Sequence, residues 1–279
     1  MKNSFIIQNP IRISFQNVTD DIKLLAFIND FVPKASKARL TRYRNKLVKA
    51  FNVKYPEEKE GFSKLMQFFT EAEKSEISGG KDLIRFNAEG EKVGEVLRFM
   101  IDFHNLTVKA PEFIKEMSIV YLVTSFEDFL ASVLKSHFLN RPKSMSSNKQ
   151  MTNAEILSCK NLDELTKKIV DKELSDVFYA SIDGINNYLK KKFRFNLDKH
   201  KEWREFREVF YRRNIIIHND GFPNDEYNCK TGHKGVEKLK IDNDYLARSF
   251  EVFFFYSKLV AKKFYDKKLD KKVPAKEIE

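Results

Sequence analysis

An arginine, an asparagine and a histidine stand close together near the end of a predicted helix in the C-terminal third of the chain. Arg213 is followed directly by Asn214, and His218 comes four residues after Asn214. The imidazole of histidine titrates near neutral pH, whereas the guanidinium of arginine stays charged. A proton-transfer group beside a permanent cation is suited to cutting a phosphodiester without a metal ion. The same residues also suit a salt-bridged arginine and a helix-capping histidine, so the surrounding elements must decide.

The helix that carries these residues is predicted over 203–218, and a Gly- and Pro-containing exit follows it. At about 100° per residue, one stripe of this helix is apolar and is predicted to face the core. It contains Trp203, Phe206, Phe210 and Ile217. Arg213 falls inside or beside this stripe, where an unpaired charge is costly. We therefore expect Arg213 to pair with another element, with another protomer or with a bound anion.

The flanks of the helix carry further polar residues. Asn214 and His218 are one turn apart and share a flank with Arg207. Arg212 precedes His218 by six positions but points away from it at helical geometry. This direction predicts a solvated or RNA-contacting side chain for Arg212.

The motif and its setting resemble the HEPN family. The hallmark of that family is an arginine, four to six residues and a histidine, often with asparagine directly after the arginine. Here Arg213-Asn214, three residues and His218 follow an aromatic-rich helix and precede Asn219-Asp220-Gly221. A long apolar helix predicted over 113–139, a hairpin-like stretch over 235–241 and a final helix over 244–265 extend the resemblance to residues 111–268.

The resemblance implies a helical bundle that forms a homodimer, with two such motifs facing one cleft. Many members of the family are metal-independent ribonucleases of toxin–antitoxin, abortive-infection or other antiphage systems. In such a site the 2′-hydroxyl of RNA attacks its own phosphorus, an imidazole moves the proton and a guanidinium holds the phosphate oxygens. The resemblance therefore implies an endoribonuclease with RNA as a partner, no cofactor and no metal, and a cognate antitoxin or defence-system protein as a further partner.

Each candidate residue has two interpretations. His218 is the expected proton-transfer group and Arg213 the expected phosphate clamp; the alternatives are a helix cap and a buried ion pair. Asn214 orients His218 or touches the phosphate, or it is a plain polar flank. Related proteins often carry an acidic residue on the long first helix, and Glu127 or Asp128 fits that place; the alternative, for at least one of them, is a plain exposed helical acid.

The charge balance favours a polyanionic partner. The 279 residues include 51 Lys and Arg against 40 Asp and Glu, a formal net charge of +11, which favours nucleic acid. A run of cations without any acid is either a nucleic-acid contact or a solvated helical face. Its members are Lys34, Lys37, Arg39, Arg42, Arg44, Lys46 and Lys49.

Cysteine usage and hydropathy favour a cytoplasmic protein without a membrane partner. Cys159 and Cys229 are far apart in sequence, so no disulfide framework is expected. Cys229 and His233 have ligand-like spacing, but two residues do not make a structural zinc site. We expect no apolar run near the roughly 20 residues of a membrane span and no signal peptide.

The fold class predicted from these patterns is mainly α. A C-terminal HEPN-like helical bundle (111–268) follows a smaller α-rich (α+β) N-terminal domain of unknown family (1–110) and precedes a basic tail (269–279). In the N-terminal domain we predict strands at 10–15 and 83–86 and helices at 20–31, 61–75 and 90–104. Pro33 is expected to end a helix and Pro111 to start the long one, so the boundary is placed at 107–111.

Two other classes of function fit the same observations. The HEPN-like domain is then a non-catalytic binding or dimerisation module, or the chain is a nucleic-acid-binding subunit of a multi-component defence system. Steep salt dependence of nucleic-acid binding without turnover is typical of the latter.

Overall fold

The structure is a computed structural model that describes residues 6–7, 9–60, 62–64, 67, 91–145, 150–265 and 271–272. For 6–7, 32–41, 43–44, 47, 91–108 and 271–272 it describes the backbone alone. The described residues are overwhelmingly helical, so the predicted mainly α class is confirmed. The strand predicted at 83–86 and most of the helix predicted over 61–75 lie outside the described residues.

Long helices dominate the element order. The helices are α1 (Pro10–Lys54), α2 (Glu91–Asn140), α3 (Asn153–Leu157), α4 (Leu162–Tyr179), α5 (Ile182–Phe193), α6 (Trp203–Asn219), α7 (Asp225–Thr231) and α8 (Asn243–Phe264). Short 3-10 turns are formed by Pro56–Glu58, Pro142–Ser144 and Leu197–Lys199. The strands β1 (Ile6–Ile7) and β2 (Lys271–Lys272) pair antiparallel, with Ile6 opposite Lys272. β2 is the part of the predicted basic tail that the structure describes.

The contacts divide the chain into two compact units that differ from the predicted domains. One unit combines Met1–Phe27 with Lys115–Glu279, and the other is Ile28–Ile114. The first unit is therefore discontinuous in sequence. The predicted boundary at 107–111 misses the fact that the first helical segment packs with the C-terminal bundle.

The core of the discontinuous unit is built around the second half of α2. Its apolar residues recur every three or four positions, which places them on one wide face of a helix. The buried members of this face are Ile119, Leu122, Val123, Phe126, Phe129, Leu130, Val133, Leu134 and Phe138. The first part of α1 covers part of this core with Ile11, Val18, Ile22 and Leu25. The two helices run antiparallel, because Phe15 packs on Phe129 while Ser125 Oγ donates to Asp21 Oδ2.

Three sequence predictions in this region were wrong. Residues 10–15 begin α1 instead of forming a strand, because Asn9 Oδ1 caps the helix by accepting from the Ile11 N–H and Pro10 occupies the first helical position. α1 also continues past Pro33, and α2 runs through Pro111 without a break. A proline inside a long helix costs one hydrogen bond, and the many remaining bonds of these helices absorb that cost.

The unit Ile28–Ile114 contains the rest of α1 and the first half of α2. Residues 59–60, 62–64 and 67 are also helical. Phe51 and Phe62 are buried and stack at 4.1 Å, with Tyr55 at 5.2 Å from Phe51. This aromatic cluster is the described core of the unit.

One segment of α2 is long and apolar enough to cross a membrane by length and composition. It lies within Lys109–Asn140, reaches a mean hydropathy of 1.5 and is 56% buried inside the protein. The sequence-based expectation of no such run was therefore wrong by this criterion. The core helix of a soluble protein passes the same test, so this one segment is weak evidence for a membrane span.

Candidate functional site

The helix that carries the motif is held by an aromatic cluster. α6 inserts Phe206 and Phe210 between α2 and α8, where Phe126 lies edge-on to Phe206 at 5.1 Å and Tyr256 stacks on Phe206 at 4.0 Å. Phe253 stacks on Phe210 at 5.6 Å. These contacts fix the rotation of α6 about its axis. They therefore determine which of its polar residues point outward.

The predicted core stripe of α6 is correct at its centre and wrong at its end. Phe206 and Phe210 are buried and Trp203 packs partly against the core, as predicted. Ile217, however, is 48% exposed, and Ile215 is buried in its place. The last turn of α6 projects beyond the bundle, so a stripe extrapolated from Trp203 overruns the core.

Arg213 finds its partner on α2. Its Nη2 donates to Glu127 Oε1 at 2.7 Å, and about a quarter of each side chain is exposed. Burial raises the pKa of the Glu127 carboxyl above its ordinary value and Asp128 adds to this, while the Arg213 guanidinium opposes it. The Nε of Arg213 is buried and has no hydrogen-bond partner among the described residues. We expected Arg213 to pair with another element, another protomer or a bound anion, and in the structure it pairs with another element of the same chain.

A polar cavity of about 270 Å³ opens beside this ion pair. Glu127, Arg213 and Asn214 line it, together with Ser181 at the beginning of α5 and the exposed Tyr179 at the end of α4. Asn214 is exposed to solvent. The cavity thus offers space beside both Arg213 and Asn214 for a small polar or charged group.

His218 is exposed in the last turn of α6. It lies one turn beyond Asn214, as predicted from the spacing. Its position five residues after Arg213 places the two side chains about 140° apart around the helix axis. His218 does not line the cavity beside Arg213. Asn214 and His218 thus share a flank of α6, whereas Arg213 faces α2.

The exit from α6 is fixed by its backbone geometry. Asp220 and Gly221 have positive φ angles of 50° and 80°, and the Gly221 N–H donates to the Ile215 carbonyl at 3.0 Å. This bond closes the helix in a left-handed turn, a conformation that costs glycine nothing and that aspartate tolerates. Lys238 pairs with Glu116 of α2 at 2.9 Å, and the Leu239 N–H donates to the Gly221 carbonyl. The stretch 235–241, predicted to be hairpin-like, is irregular in the structure, and these bonds connect it to α2 and to the end of α6.

Asp128 belongs to a different place. It is exposed and lines a cavity of about 230 Å³ between α1 and α2, together with Asp21, Tyr121 and Ser125. Of the two acidic candidates on α2, only Glu127 contacts Arg213.

Arg207 forms a structural ion pair. Its Nε and Nη2 donate to the two carboxylate oxygens of Asp183 at 2.7 and 2.9 Å, and its Nη1 donates to the Lys230 carbonyl. Tyr211 also donates to Asp183. Burial acts to raise the pKa of Asp183, but the bonds from Arg207 and Tyr211 outweigh it and hold that pKa below its ordinary value. Arg207 therefore ties α5, α6 and α7 together.

The solvated side chain predicted for Arg212 was wrong, and an RNA contact by Arg212 stays a prediction. Its side chain is only 12% exposed, and it donates to Glu208 at 2.7 Å and to the Lys240 carbonyl at 3.1 Å. Its guanidinium lies 4.0 Å from the centre of the Tyr245 ring. Glu208 also accepts hydrogen bonds from Tyr227 and Tyr245. Sequence reasoning missed this network, because only the i,i+4 spacing of Glu208 and Arg212 signals it.

The basic segment of the sequence lies on α1. Arg42, Lys46 and Lys49 are exposed. The side chains of Lys34, Lys37, Arg39 and Arg44 lie outside the described ones. The exposed cations fit both interpretations of this segment, a nucleic-acid contact and a solvated face.

Neither a metal site among the described residues nor a related protein indicates a chemistry for this chain. Among the described residues, no group of three or more His, Cys, Asp or Glu side chains is arranged to hold a metal ion. Cys159 and Cys229 are free. Comparison of the chain with protein-family models, with curated proteins and with solved structures gave no match.

Proposed function

We propose that the chain is a metal-independent endoribonuclease of the HEPN type, in which a ribose 2′-hydroxyl attacks the neighbouring phosphorus. The observation that carries the proposal is the end of α6: Arg213 on the wall of a polar cavity, with Asn214 and His218 exposed one turn apart. An antiphage-defence or toxin effector in the cytoplasm is the role that such an activity fits.

The chemistry assigns one task to each group. Glu127 occupies Nη2 of Arg213 and fixes the guanidinium, which leaves Nη1 to donate to a phosphate oxygen as charge develops there. His218 accepts the proton of the attacking 2′-hydroxyl or donates a proton to the 5′-oxygen as its bond to phosphorus breaks, which contributes about 10²–10⁴-fold in rate. Asn214, on the same flank as His218, orients the imidazole or the phosphate.

A second copy of the chain would complete the site. A general base and a general acid require two proton-transfer groups, and three other histidines with described side chains, His137, His200 and His233, pack against aromatic rings elsewhere. Ile217 and Phe222, which flank His218, are 48% and 44% exposed. Apolar side chains beside a polar site favour a protein contact there. We therefore propose a homodimer with one His218 from each protomer.

The Arg213–Glu127 ion pair also favours a second candidate function. A guanidinium already bound by a carboxylate at 2.7 Å can serve the fold alone. The chain is then a binding or dimerisation module, or an RNA-binding subunit of a larger defence system, with the exposed cations Arg42, Lys46 and Lys49 as a nucleic-acid contact.

The deciding experiment compares three proteins in an RNA-cleavage assay. Wild type, His218→Ala and the control Lys258→Ala, which changes an exposed residue of α8, are incubated with total cellular RNA in EDTA. We expect discrete fragments with 2′,3′-cyclic phosphate ends from wild type and control, and none from His218→Ala. Activity that survives His218→Ala, or that requires Mg²⁺, contradicts the proposal. Tight RNA binding without cleavage by any of the three supports the second candidate.

A further inference from the structure

A second polar cavity, of about 390 Å³, lies on the other side of α6 from Arg213. Its walls come from three helices of the discontinuous unit and from the segment that follows α7. They include Arg204, Arg207 and Arg212 of α6, Lys230 of α7, His233 beyond it and Tyr245 of α8. No residue of the proposed nuclease site lines this cavity.

The cations of this cavity outnumber their partners. Arg212 is matched by Glu208. Asp183, by contrast, is shared by two cations: Arg207 binds both of its oxygens, and Lys230 Nζ stays 3.6 Å from Oδ2. One carboxylate therefore faces two positive charges, which leaves one charge in excess.

Arg204 adds the second excess charge. It is exposed at the mouth of the cavity, and no ion pair to it is found in the described part of the chain. Two uncompensated charges on a partly enclosed wall attract an anion more strongly than two separate surface charges, because the surrounding protein lowers the local dielectric. These two excess positive charges would balance the two negative charges of a phosphate dianion.

The cavity and the proposed nuclease site lie along one line on α6. Arg207, Tyr211, Asn214 and His218 follow each other at spacings of four, three and four residues, which keeps them on one flank of the helix. Arg207 and His218 are roughly 16 Å apart along the axis at 1.5 Å per residue. A strand of a few nucleotides that passes His218 therefore reaches the cavity with another of its phosphates.

We propose that this cavity binds a phosphate group through Arg204 and Lys230. The phosphate comes either from an RNA backbone that extends from the end of α6 or from a free phosphate compound such as a mononucleotide. The volume is near the lower limit of small-molecule sites, so it admits a phosphate with a sugar attached. Arg207 and Arg212 hold the walls, because their donors are already bound to protein acceptors.

The test is the double variant Arg204→Ala/Lys230→Ala against the control Lys258→Ala/Lys262→Ala. Both remove two charges, and the control residues are exposed on α8 away from the cavity. The Lys230 carbonyl that holds Arg207 remains in the variant. Arg204→Glu serves as a second variant, since no bond within the described residues is lost with it.

In the first arm, binding of a labelled single-stranded RNA is measured as a function of salt, with every protein carrying His218→Ala so that the RNA stays intact. If the phosphate belongs to RNA, the double variant binds several-fold more weakly than the control. The slope of log K against log salt then falls by about 0.7, because one backbone phosphate is no longer neutralised. Different RNA sequences should be affected equally, because phosphate contacts carry no sequence information.

In the second arm, inorganic phosphate and adenosine monophosphate are titrated by calorimetry at constant ionic strength. Binding to the control that is lost in the double variant assigns the site to a free phosphate compound. If the double variant and Arg204→Glu match the control in both arms, the proposal is overturned. The outcome does not depend on the proposed nuclease, because both arms measure binding and neither requires cleavage.

Discussion

At the scale of single residues, the Arg213–Glu127 ion pair links α6 to α2, and its arginine is also the proposed phosphate-binding residue. The sequence indicated that Arg213 needs a partner and, separately, that Glu127 or Asp128 fits the place of an acidic residue on the long helix of related proteins. It did not predict which acid would contact Arg213, because Glu127 and Asp128 are adjacent and only the rotation of α2 in the bundle separates them. Phe126 and Phe129 set that rotation through their packing in the core.

Loss of Arg213 is expected to destabilise the fold in a pH-dependent way. The Glu127 carboxyl would then stay half-buried without its cation, which costs about 3–5 kcal/mol for a fully buried pair and about 1–3 kcal/mol at this exposure. The raised folded-state pKa of Glu127 means that its ionisation opposes folding as the pH rises through that pKa. Removal of Arg213 takes away the group that lowers the pKa. The free energy of unfolding lost in Arg213→Ala should therefore be largest at neutral pH. The loss should become smaller as the pH falls towards the ordinary pKa of a glutamate side chain.

Urea unfolding of wild type and Arg213→Ala at pH 7.5 and near pH 4.5 measures this effect. Arg213→Ala/Glu127→Gln is the informative companion, because a neutral amide costs less to bury than a carboxylate and part of the stability should return. If Arg213→Ala lowers the free energy of unfolding equally at both pH values, Glu127 is solvated in the variant. The ion pair would then contribute little to stability.

At the scale of elements, the helices with short, strongly patterned sequences were predicted well. The helix predicted over 203–218 is Trp203–Asn219, and the one predicted over 244–265 is Asn243–Phe264. Both have an apolar face and an end signal: Gly221 after α6, and the Asp242 side chain as N-cap of α8. The long helices α1 and α2 were broken too early in the prediction. Local proline rules cannot weigh one lost hydrogen bond against the packing of a 50-residue helix.

The Pro111→Ala variant tests how α2 tolerates its proline. Proline has no N–H to donate to the carbonyl of residue 107, and alanine is the better helix former by about 3 kcal/mol in a helix interior. Since the helix has adapted to the ring, we expect a gain of about 1–3 kcal/mol and a higher midpoint of thermal unfolding. Circular dichroism at 222 nm measures both helicity and midpoint. The exposed neighbour Glu112 provides the control, Glu112→Ala, with little expected change. A lower midpoint for Pro111→Ala would indicate that α2 needs the proline geometry at this place.

At the scale of the whole molecule, the first 27 residues belong with the C-terminal bundle. The sequence did not reveal this, because Ile11, Val18, Ile22 and Leu25 show an apolar stripe but not the surface that it covers. Such pairing between distant segments depends on the shape of the assembled core. The bundle predicted from the sequence, 111–268, therefore lacks a helix that the structure includes.

Two shortened chains distinguish the predicted domain from the observed unit. In the first, a short Gly/Ser linker joins Phe27 to Lys115, which is permitted because α1 and α2 run antiparallel in this unit. In the second, residues 111–268 stand alone. We expect a cooperative thermal transition from the first chain. The second should bind a dye for exposed apolar surface or aggregate, since the side of α2 that α1 covers is open to water. Equally cooperative melting of both chains would show that α1 is dispensable for the bundle.

The discontinuity of this unit also has a consequence during translation. The apolar stripe of α1 leaves the ribosome before all of Ile28–Ile114, and the α2 residues on which the stripe packs follow only after that unit. At roughly 5–20 residues per second, the nascent stripe waits for seconds without its native neighbour. The unit Ile28–Ile114 can meanwhile complete its own contacts as it emerges. Synthesis thus leaves the apolar face of α1 exposed to water until the α2 residues that cover it have left the ribosome.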